Sequence, residues 1–421
     1  MVGAVSRRWI PLFLFIAFLT IYSLTAGVSL TRPSLAPHFV YLAEALLHGH
    51  LDLIHVPNPP YDLTPFAGRW YVSFPPLPAL LMLPLVALRG LAVSDIAFSV
   101  VVGALDVALF YMVVERLTGD PRYAICDLQT AVWLCVLLGL GTPLWYCAAL
   151  GSVWYTAHVV AVGCLGLYAL EASGRNRPLV TGLCLGLGFL ARAPVLFAVP
   201  LTLALGFQQH RDLRQRIRFL LLLALGMAPA LAGQGAYNWA RFGSPLEFGY
   251  RWMNSPEPLA GRQAMWGQFS LHFLPENLYT LTIRPPLVSW SPLRITPDPW
   301  GMGLLLTCPA LALAFIPARG ESQRVGLRLG LWLSIGLVQL PSLLYFNTGS
   351  YQFGYRFALD WLPLGVLLVG LGVGGRLRWW GRTLIIGSVL MHLWGVLWMY
   401  PNFNGQVWHL QYVELLSRWL H

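Results

Sequence analysis

The chain contains no lysine. All 27 of its basic residues are arginine, set against 17 acids, for a net charge of +10 over 421 residues. Such a balance can serve nucleic acid, but these arginines are dispersed along the whole length and form no basic stripe. Codon bias in a GC-rich genome is a sufficient reason for arginine alone. Charge of either sign is scarce, at 10% of residues against 57% hydrophobic, where a soluble domain carries about 25% charge. With mean hydropathy at +0.62, a water-soluble fold would lack the polar surface to cover itself. Cysteine is sparse too. The six, Cys126, Cys135, Cys147, Cys164, Cys184 and Cys308, lie mostly in apolar runs and include no CxxC. That excludes a disulfide framework or a thiolate metal site and leaves small core residues. No Asn-x-Ser/Thr sequon occurs, and no low-complexity tract, linker or separate soluble domain.

What is present is a series of apolar runs long enough to cross about 30 Å of hydrocarbon. The pattern predicts an all-α integral membrane protein of about 10–12 transmembrane helices, a single polytopic domain over 1–421. Spans are expected near 9–30, 94–115, 124–146, 152–171, 219–236, 301–317, 327–345, 357–373 and 383–400, with a short hairpin over 178–207. Arg7 and Arg8 precede the first run with no clear cleavage site after it, so that run reads as a span. The run 76–92 holds Pro76, Pro78 and Pro84 and reads as shallow or re-entrant. With that choice sixteen arginines (7, 8, 116, 122, 175, 177, 211, 214, 216, 218, 319, 324, 328, 376, 378 and 382) fall on the cytoplasmic side, as the positive-inside bias requires. Counting 76–92 as a full span inverts every later loop and destroys the bias. The C-terminus is then outside. Two long outer loops result, 31–93 and 237–300.

The inner loops are short, basic and without acid–histidine clusters. Polar chemistry concentrates outside. The first loop carries His38, Glu44, Asp52, Asp62 and Arg69, and its segment 38–48 sets Phe39, Leu42, Ala43 and Leu46 on one helical face, suiting an interfacial amphipathic helix. Later outer segments bring His158, Arg192, Arg241, Tyr355 and Arg356. Each has a plainer reading. His38 can cap a helix or touch lipid. Asp62, in Pro59-Pro60-Tyr61-Asp62-Leu63-Thr64-Pro65, can make a turn. Asp52 can solvate the loop, and Glu44 the helix face. Arg192, Arg241 and Arg356 can snorkel to headgroups, and His158 can belong to an aromatic belt with Trp154 and Tyr155. The intramembrane acid Asp106 is functional by default or bonds a neighbouring helix. Read functionally, arginines suit an anionic lipid phosphate, and a carboxylate or neutral imidazole suits activation of an acceptor hydroxyl.

In the first loop Tyr41, Ala43, Gly49, Gly68, Tyr71, Pro75, Pro76 and Leu77 stand in an order that resembles the GT-C glycosyltransferases, in the branch of protein mannosyltransferases and aminoarabinose transferases. Arg192-x-Pro194, Asn238-x-x-Arg241-Phe242-Gly243 and Phe353-Gly354-Tyr355-Arg356 are similar to that superfamily as well. The family's Asp-Glu after the first span falls here on Pro37-His38, so the expected acid is absent. The role then passes to His38, or to Asp52 or Asp62 from farther along the loop, or the site is degenerate. The resemblance implies a GT-C-like fold and a polyprenyl-phosphate-linked sugar as donor. It implies inverting transfer to a glycan, lipid or protein acceptor at the extracytoplasmic face of a plasma (inner) membrane. The catalytic candidates are Asp62, His38, Asp52 and Glu44. The substrate-binding candidates are Arg69, Arg192, Arg241, Tyr355, Arg356 and His158. No pair of ligands has metal spacing, so no metal or other cofactor is inferred, and the partners are membrane lipid and the two substrates, without nucleic acid. The rival classes are a polytopic transporter or lipid flippase, which would show repeats and midplane polar groups, and a non-catalytic membrane subunit.

Overall fold

The computed structural model describes residues 7–210, 212–317 and 322–403. Arg211, Arg319 and the expected outward C-terminus lie outside them. The chain is an all-α, multi-pass membrane protein. Its long helices are apolar on nearly every side, as lipid on one side and protein on the other require. Among the described residues six are long and apolar enough to cross a bilayer. They are α1 (Ile10–Ala26, continued by a 3₁₀ turn to Thr31), α4 (Asp95–Gly119), α7 (Val153–Ser173), α10 (Leu213–Phe242), α14 (Ser322–Leu343) and α16 (Trp379–Phe403). The apolar pair α5 (Leu128–Leu140) and α6 (Leu144–Leu150) is long enough for one more only if its two halves count as one span, and it is bent by 52° where Gly141-Thr142-Pro143 interrupts the ladder.

The other expected spans are broken, for the same reason. The hairpin expected over 178–207 is α8 (Pro178–Ala191), a 3₁₀ turn Ala193–Ala198 and α9 (Val199–Gln209), with Arg192 at the break and Pro194 just after it. The run 301–317 yields only α13 (Leu304–Thr307) and a 3₁₀ turn Pro309–Phe315. The run 357–373 becomes a 3₁₀ turn Arg356–Asp360 followed by α15 (Leu362–Gly372), with Pro363 in its first turn. Backbone groups freed at such breaks can sit at membrane depth only where protein or a cavity surrounds them. The breaks beside Trp154, Arg192 and Arg356 open onto the cavity described below.

Helix ends follow local chemistry. Ser94 caps α4, accepting from the Ala97 N–H at 3.0 Å, and Asp127 caps α5, accepting from Thr130 at 2.8 Å. Pro178 opens α8. α10 stops at Gly243, whose φ of 72° is the left-handed C-terminal conformation. With 30 residues α10 is about 45 Å long, so its last turns, with Asn238 and Arg241, reach past the hydrocarbon. The second outer loop therefore starts at Gly243, not at Tyr237. α8 and α10 cross at close range because Gly182 and Gly226 face each other. A Cβ on Gly226 would meet the Gly182 Cα at 3.0 Å, a small-residue crossing of the kind membrane helices use.

The first long loop is itself folded. α2 (His38–Leu47) buries Phe39, Leu42 and Ala43, as its periodicity predicts. That face covers protein, not lipid. It packs on Met82 and Val86 of α3 (Leu77–Arg89) and on Val153 and Ala157 of α7. With 13 residues α3 is short of a crossing. Between α2 and α3, β1 (Thr64–Phe66) and β2 (Arg69–Tyr71) pair antiparallel around Ala67-Gly68. Both turn residues have positive φ, 49° and 76°, as a two-residue hairpin loop demands. The second outer loop folds into α11 (Leu259–Trp266), α12 (Leu274–Thr282) and the hairpin β3 (Leu287–Trp290)–β4 (Leu293–Thr296).

Candidate functional site

A cavity of about 1030 Å³ opens where the first loop, the second loop and the broken helices meet. His38 and Asp62 line it from the first loop, and Trp154, Tyr155 and His158 from the first turns of α7. Arg192 reaches it from the α8 break, Arg356 and Phe357 from the turn before α15, and Glu247, Tyr250 and Arg251 from the second loop. Much of the remaining wall is apolar, including Phe197, Leu246, Phe269, Leu340 and Leu344.

Asp95 fixes the mouth. Buried at the start of α4, its carboxylate accepts from the Ser34 N–H at 2.7 Å, the Ser34 hydroxyl at 2.5 Å and the Ser152 N–H at 3.0 Å. Those bonds tie the segment before His38 to the segment before Trp154, and the two rings sit edge to face at 6.4 Å. Asp62 lies opposite. Its φ of 56° places it in the left-handed region, which Asp tolerates better than most residues. The Trp154 indole N–H donates to Oδ2 at 2.7 Å, and the Ser255 hydroxyl to Oδ1 at 3.4 Å. The Asp62 N–H donates to the Asn254 carbonyl at 3.0 Å, and the Asn254 N–H to the Leu63 carbonyl at 2.8 Å. The second loop thus clamps the turn that presents the carboxylate. Burial raises the Asp62 pKa from its ordinary value, against the Trp154 bond, the Arg356 charge and the Ser255 bond, which lower it.

His38 is buried beside it. Its Nε2 lies 2.8 Å from the Tyr61 carbonyl. A carbonyl only accepts, so Nε2 carries the proton and Nδ1 is a lone pair. Burial depresses the imidazole to about 4, in spite of the Tyr61 bond, which raises it. At neutral pH His38 is an uncharged acceptor.

The far wall is an ion cluster. Asp360, buried at the end of the 3₁₀ turn, accepts from His158 Nδ1 at 2.8 Å. It also accepts from Arg192, with Nε 3.2 Å from both oxygens and Nη2 3.0 Å from Oδ2. This bond assigns the His158 proton to Nδ1 and leaves Nε2 as the acceptor. Arg356 is anchored by Nη1 to the Gly349 and Tyr351 carbonyls, with its guanidinium 5.6 Å from the Tyr155 ring centre and 5.2 Å from that of Phe357. Three buried polar atoms of cavity-lining residues have no hydrogen-bond partner among the described residues: His38 Nδ1, His158 Nε2 and Arg356 Nε. An unmet buried polar atom costs about 1–3 kcal/mol.

No protein-family model and no curated protein matches the sequence. Among solved structures the chain is similar to the archaeal oligosaccharyltransferase AglB from Archaeoglobus fulgidus, determined with an inhibitory peptide and a dolichol-phosphate. The identity is 12%, over 94% of this chain and 55% of that one, with a TM-score of 0.45. The chain spans about half the length of that protein.

Of the ten residues the sequence singles out, the structure brings five to the cavity: Asp62, His38, His158, Arg192 and Arg356. The other five lie elsewhere. Glu44 pairs with the exposed His55 at 3.0 Å, and Asp52 with the exposed Arg69 at 3.4 Å. In both pairs the basic partner is well exposed and the acid only partly so, and neither acid lines the cavity. Arg241 is a staple. It donates to the Val72 carbonyl at 2.7 Å and to Asn238 at 2.9 Å, holding the first loop on the end of α10. Tyr355 is fully buried, and its hydroxyl accepts from Gln339 at 3.4 Å. Asp106 is buried in α4 against Gly163, away from the cavity, with Oδ2 unpartnered among the described residues. Asp360 went unnoticed in the sequence. Its signal was an acid standing in the apolar run 357–373, the same signal that flagged Asp106. Among the described residues no group of three His, Cys, Asp or Glu is placed to hold a metal ion.

Proposed function

We propose that this protein is a membrane glycosyltransferase that moves a sugar from a polyprenyl-phosphate donor to a hydroxyl-bearing acceptor in the cavity between its two outer loops. The observation that carries the reading is the convergence on one mostly apolar cavity of the part-buried Asp62 carboxylate, two buried imidazoles and the Arg356 guanidinium. The first-loop resemblance agrees with it. The apolar wall of Phe197, Leu340 and Leu344 suits a lipid chain. Arg356 suits the phosphate of the leaving lipid, since its Nε–H is unspent and its charge is held in place.

Asp62 is the better base of the two first-loop candidates. Burial makes its carboxylate more basic than usual and makes the His38 imidazole less so, at about 4. In the proposed step the Asp62 carboxylate takes the proton of the acceptor hydroxyl. The acceptor oxygen forms a bond to the anomeric carbon, the bond from that carbon to the phosphate oxygen breaks, and the lipid phosphate leaves with the electron pair. His38 holds the Tyr61-Asp62 turn through the Tyr61 carbonyl. His158 Nε2 accepts from a sugar hydroxyl. Positioning and charge neutralisation supply most of the rate.

The test is consumption of radiolabelled polyprenyl-monophosphate sugars by the protein in lipid, by transfer or slow hydrolysis. Loss of consumption in Asp62→Asn, with native folding and with Asp52→Asn fully active, supports the reading. Failure of every donor in the panel, or an active Asp62→Asn, overturns it.

A further inference from the structure

We propose that the β3–β4 hairpin, Leu287–Thr296, is a membrane anchor that lies in the lipid headgroup layer on the cavity side of the bilayer. One face of the hairpin is apolar, with Val288, Trp290, Leu293 and Ile295, the other carries Leu287, Ser289, Arg294 and Thr296, and the apolar face is left uncovered by its own chain. Trp290 at the turn is 82% exposed, and Leu293 and Ile295 are 64% and 56% exposed, with Leu287 and Val288 close to half. A hairpin in water would bury one face and wet the other. This one has no protein face at all.

Its height relative to the bilayer is fixed at both ends. Before it, α12 lies across the end of the spanning helix α14, where Asn277 Nδ2 donates to the Leu343 carbonyl at 3.1 Å and to the Tyr345 carbonyl at 2.8 Å. After it, Gly303 at the start of α13 donates to the Arg284 carbonyl at 2.9 Å. The strands leave between these points, their base pinned by Arg284 to Asp298 at 2.7 Å. Exposed apolar residues also stand on either side of it in the chain, Leu278 and Ile283 before the hairpin and Leu305 and Leu306 after it. The charge agrees. Between Glu276 and Asp298 the chain contains no acid, Arg284 is neutralised by Asp298, and Arg294 on the exposed strand β4 suits lipid phosphate. The depth follows from the backbone. The sheet has two strands, so its outer edges leave N–H and C=O groups unpaired, at several kcal/mol each in hydrocarbon. The headgroup layer accepts those groups, and Trp is at home there. Lipid is thus the occupant, in preference to a second copy or another protein.

The experiment places an environment-sensitive NBD label at Trp290→Cys and, separately, at Ile295→Cys, with half-buried Cys184 replaced by serine. The protein is held in nanodiscs of phosphatidylcholine and phosphatidylglycerol in equal parts. Arg69→Cys at the exposed start of β2 serves as the aqueous control, and Leu225→Cys on α10 as the hydrocarbon control. Both hairpin labels are expected to be blue-shifted from the aqueous control and quenched by nitroxide on the lipid headgroup, with weak quenching by iodide. Iodide quenching equal to that at Arg69→Cys, without quenching by the lipid nitroxide, overturns the proposal. Protection from both quenchers also overturns it, and crosslinking between copies would then assign the surface to a protein partner.

Discussion

Asp360 offers a quantitative test of the far wall of the cavity. Its carboxylate is 1% exposed and holds both Arg192, itself 16% exposed, and His158, which is fully buried. Replacing Asp360 with leucine strands the guanidinium and removes the acceptor for the imidazole N–H. Breaking one partner of a buried pair costs about 3–5 kcal/mol. Arg192→Met should cost about 3 kcal/mol at the low end of that range, since the carboxylate keeps the His158 bond. The double variant leaves no stranded charge. It should lose only the His158 hydrogen bond, about 1–3 kcal/mol. The coupling between the two changes is therefore about 3–7 kcal/mol, far beyond the scatter of independent sites. Cys135, Cys147 and Cys308 are fully buried, so a thiol-reactive dye reports unfolding in denaturant titrations of the lipid-embedded protein. The double variant should regain most of the stability and none of the donor consumption, because His158 no longer has a fixed tautomer. Additive losses, or a neutral Asp360→Leu, would refute the cluster as described.

Other expectations are direct. If Asp62 is the base, kcat/KM falls as acid protonates it, and the raised pKa moves that limb above the ordinary carboxylate range. Trp154→Phe removes a bond that favours the ionised form and should move the limb higher still, whereas Asp62→Asn abolishes the limb and lowers the rate about 10²–10⁴-fold; a pH–rate profile decides both. His38 is depressed from 6.5 to about 4, so the unfolded chain binds its proton first as pH falls. Its contribution to stability is full above 6.5 and is lost on descending to about 4, a change of about 3 kcal/mol. Denaturant titrations across that range should show the slope, and His38→Gln should flatten it. Gly182→Val drives a branched side chain into α10 at the Gly226 crossing and should cost at least about 1–3 kcal/mol, while the same change at Gly233, which has nothing within 4 Å of its Cβ, should cost much less by the same titration. Asp52→Asn touches only exposed partners, Arg69 at 63% and His50 at 53%, so stability should move by about 1 kcal/mol or less, with donor consumption intact.

The membrane class and six of the spans were legible in the sequence because hydrocarbon thickness imposes a length, and length is visible in a run of letters. The breaks were less legible. Pro194, Pro309 and Pro363 are plain in the sequence, but whether a proline kinks a span or ends it depends on what surrounds the freed carbonyls. Here a cavity and neighbouring helices surround them, so 301–317 and 357–373 end as short helices and 3₁₀ turns. The first-loop helix shows the same limit from the other side. Its apolar period was read correctly over Phe39, Leu42 and Ala43, yet periodicity names a face and not what the face meets. Met82 and Val86 cover it, where lipid was expected.

For the site, one rule would have sorted the candidates better than proximity along the chain. Asp52 and Asp62 lie ten residues apart in the same loop, and nothing local separates them. What separates them is that Asp62 follows Pro59-Pro60-Tyr61 into a left-handed turn whose backbone is closed by Asn254, nearly two hundred residues later. That contact turns its carboxylate toward Trp154, while Asp52 stays beside Arg69 in water. Asp360 is the converse case. An acid in an apolar run must find partners, and the partners must be cationic or protonated donors. His158 and Arg192 already stood out, so the missing third member could have been inferred from them: a buried histidine and a buried arginine facing one cavity require a carboxylate between them. Charge satisfaction, applied to the whole candidate set at once, identifies Asp360 where inspection of single residues does not.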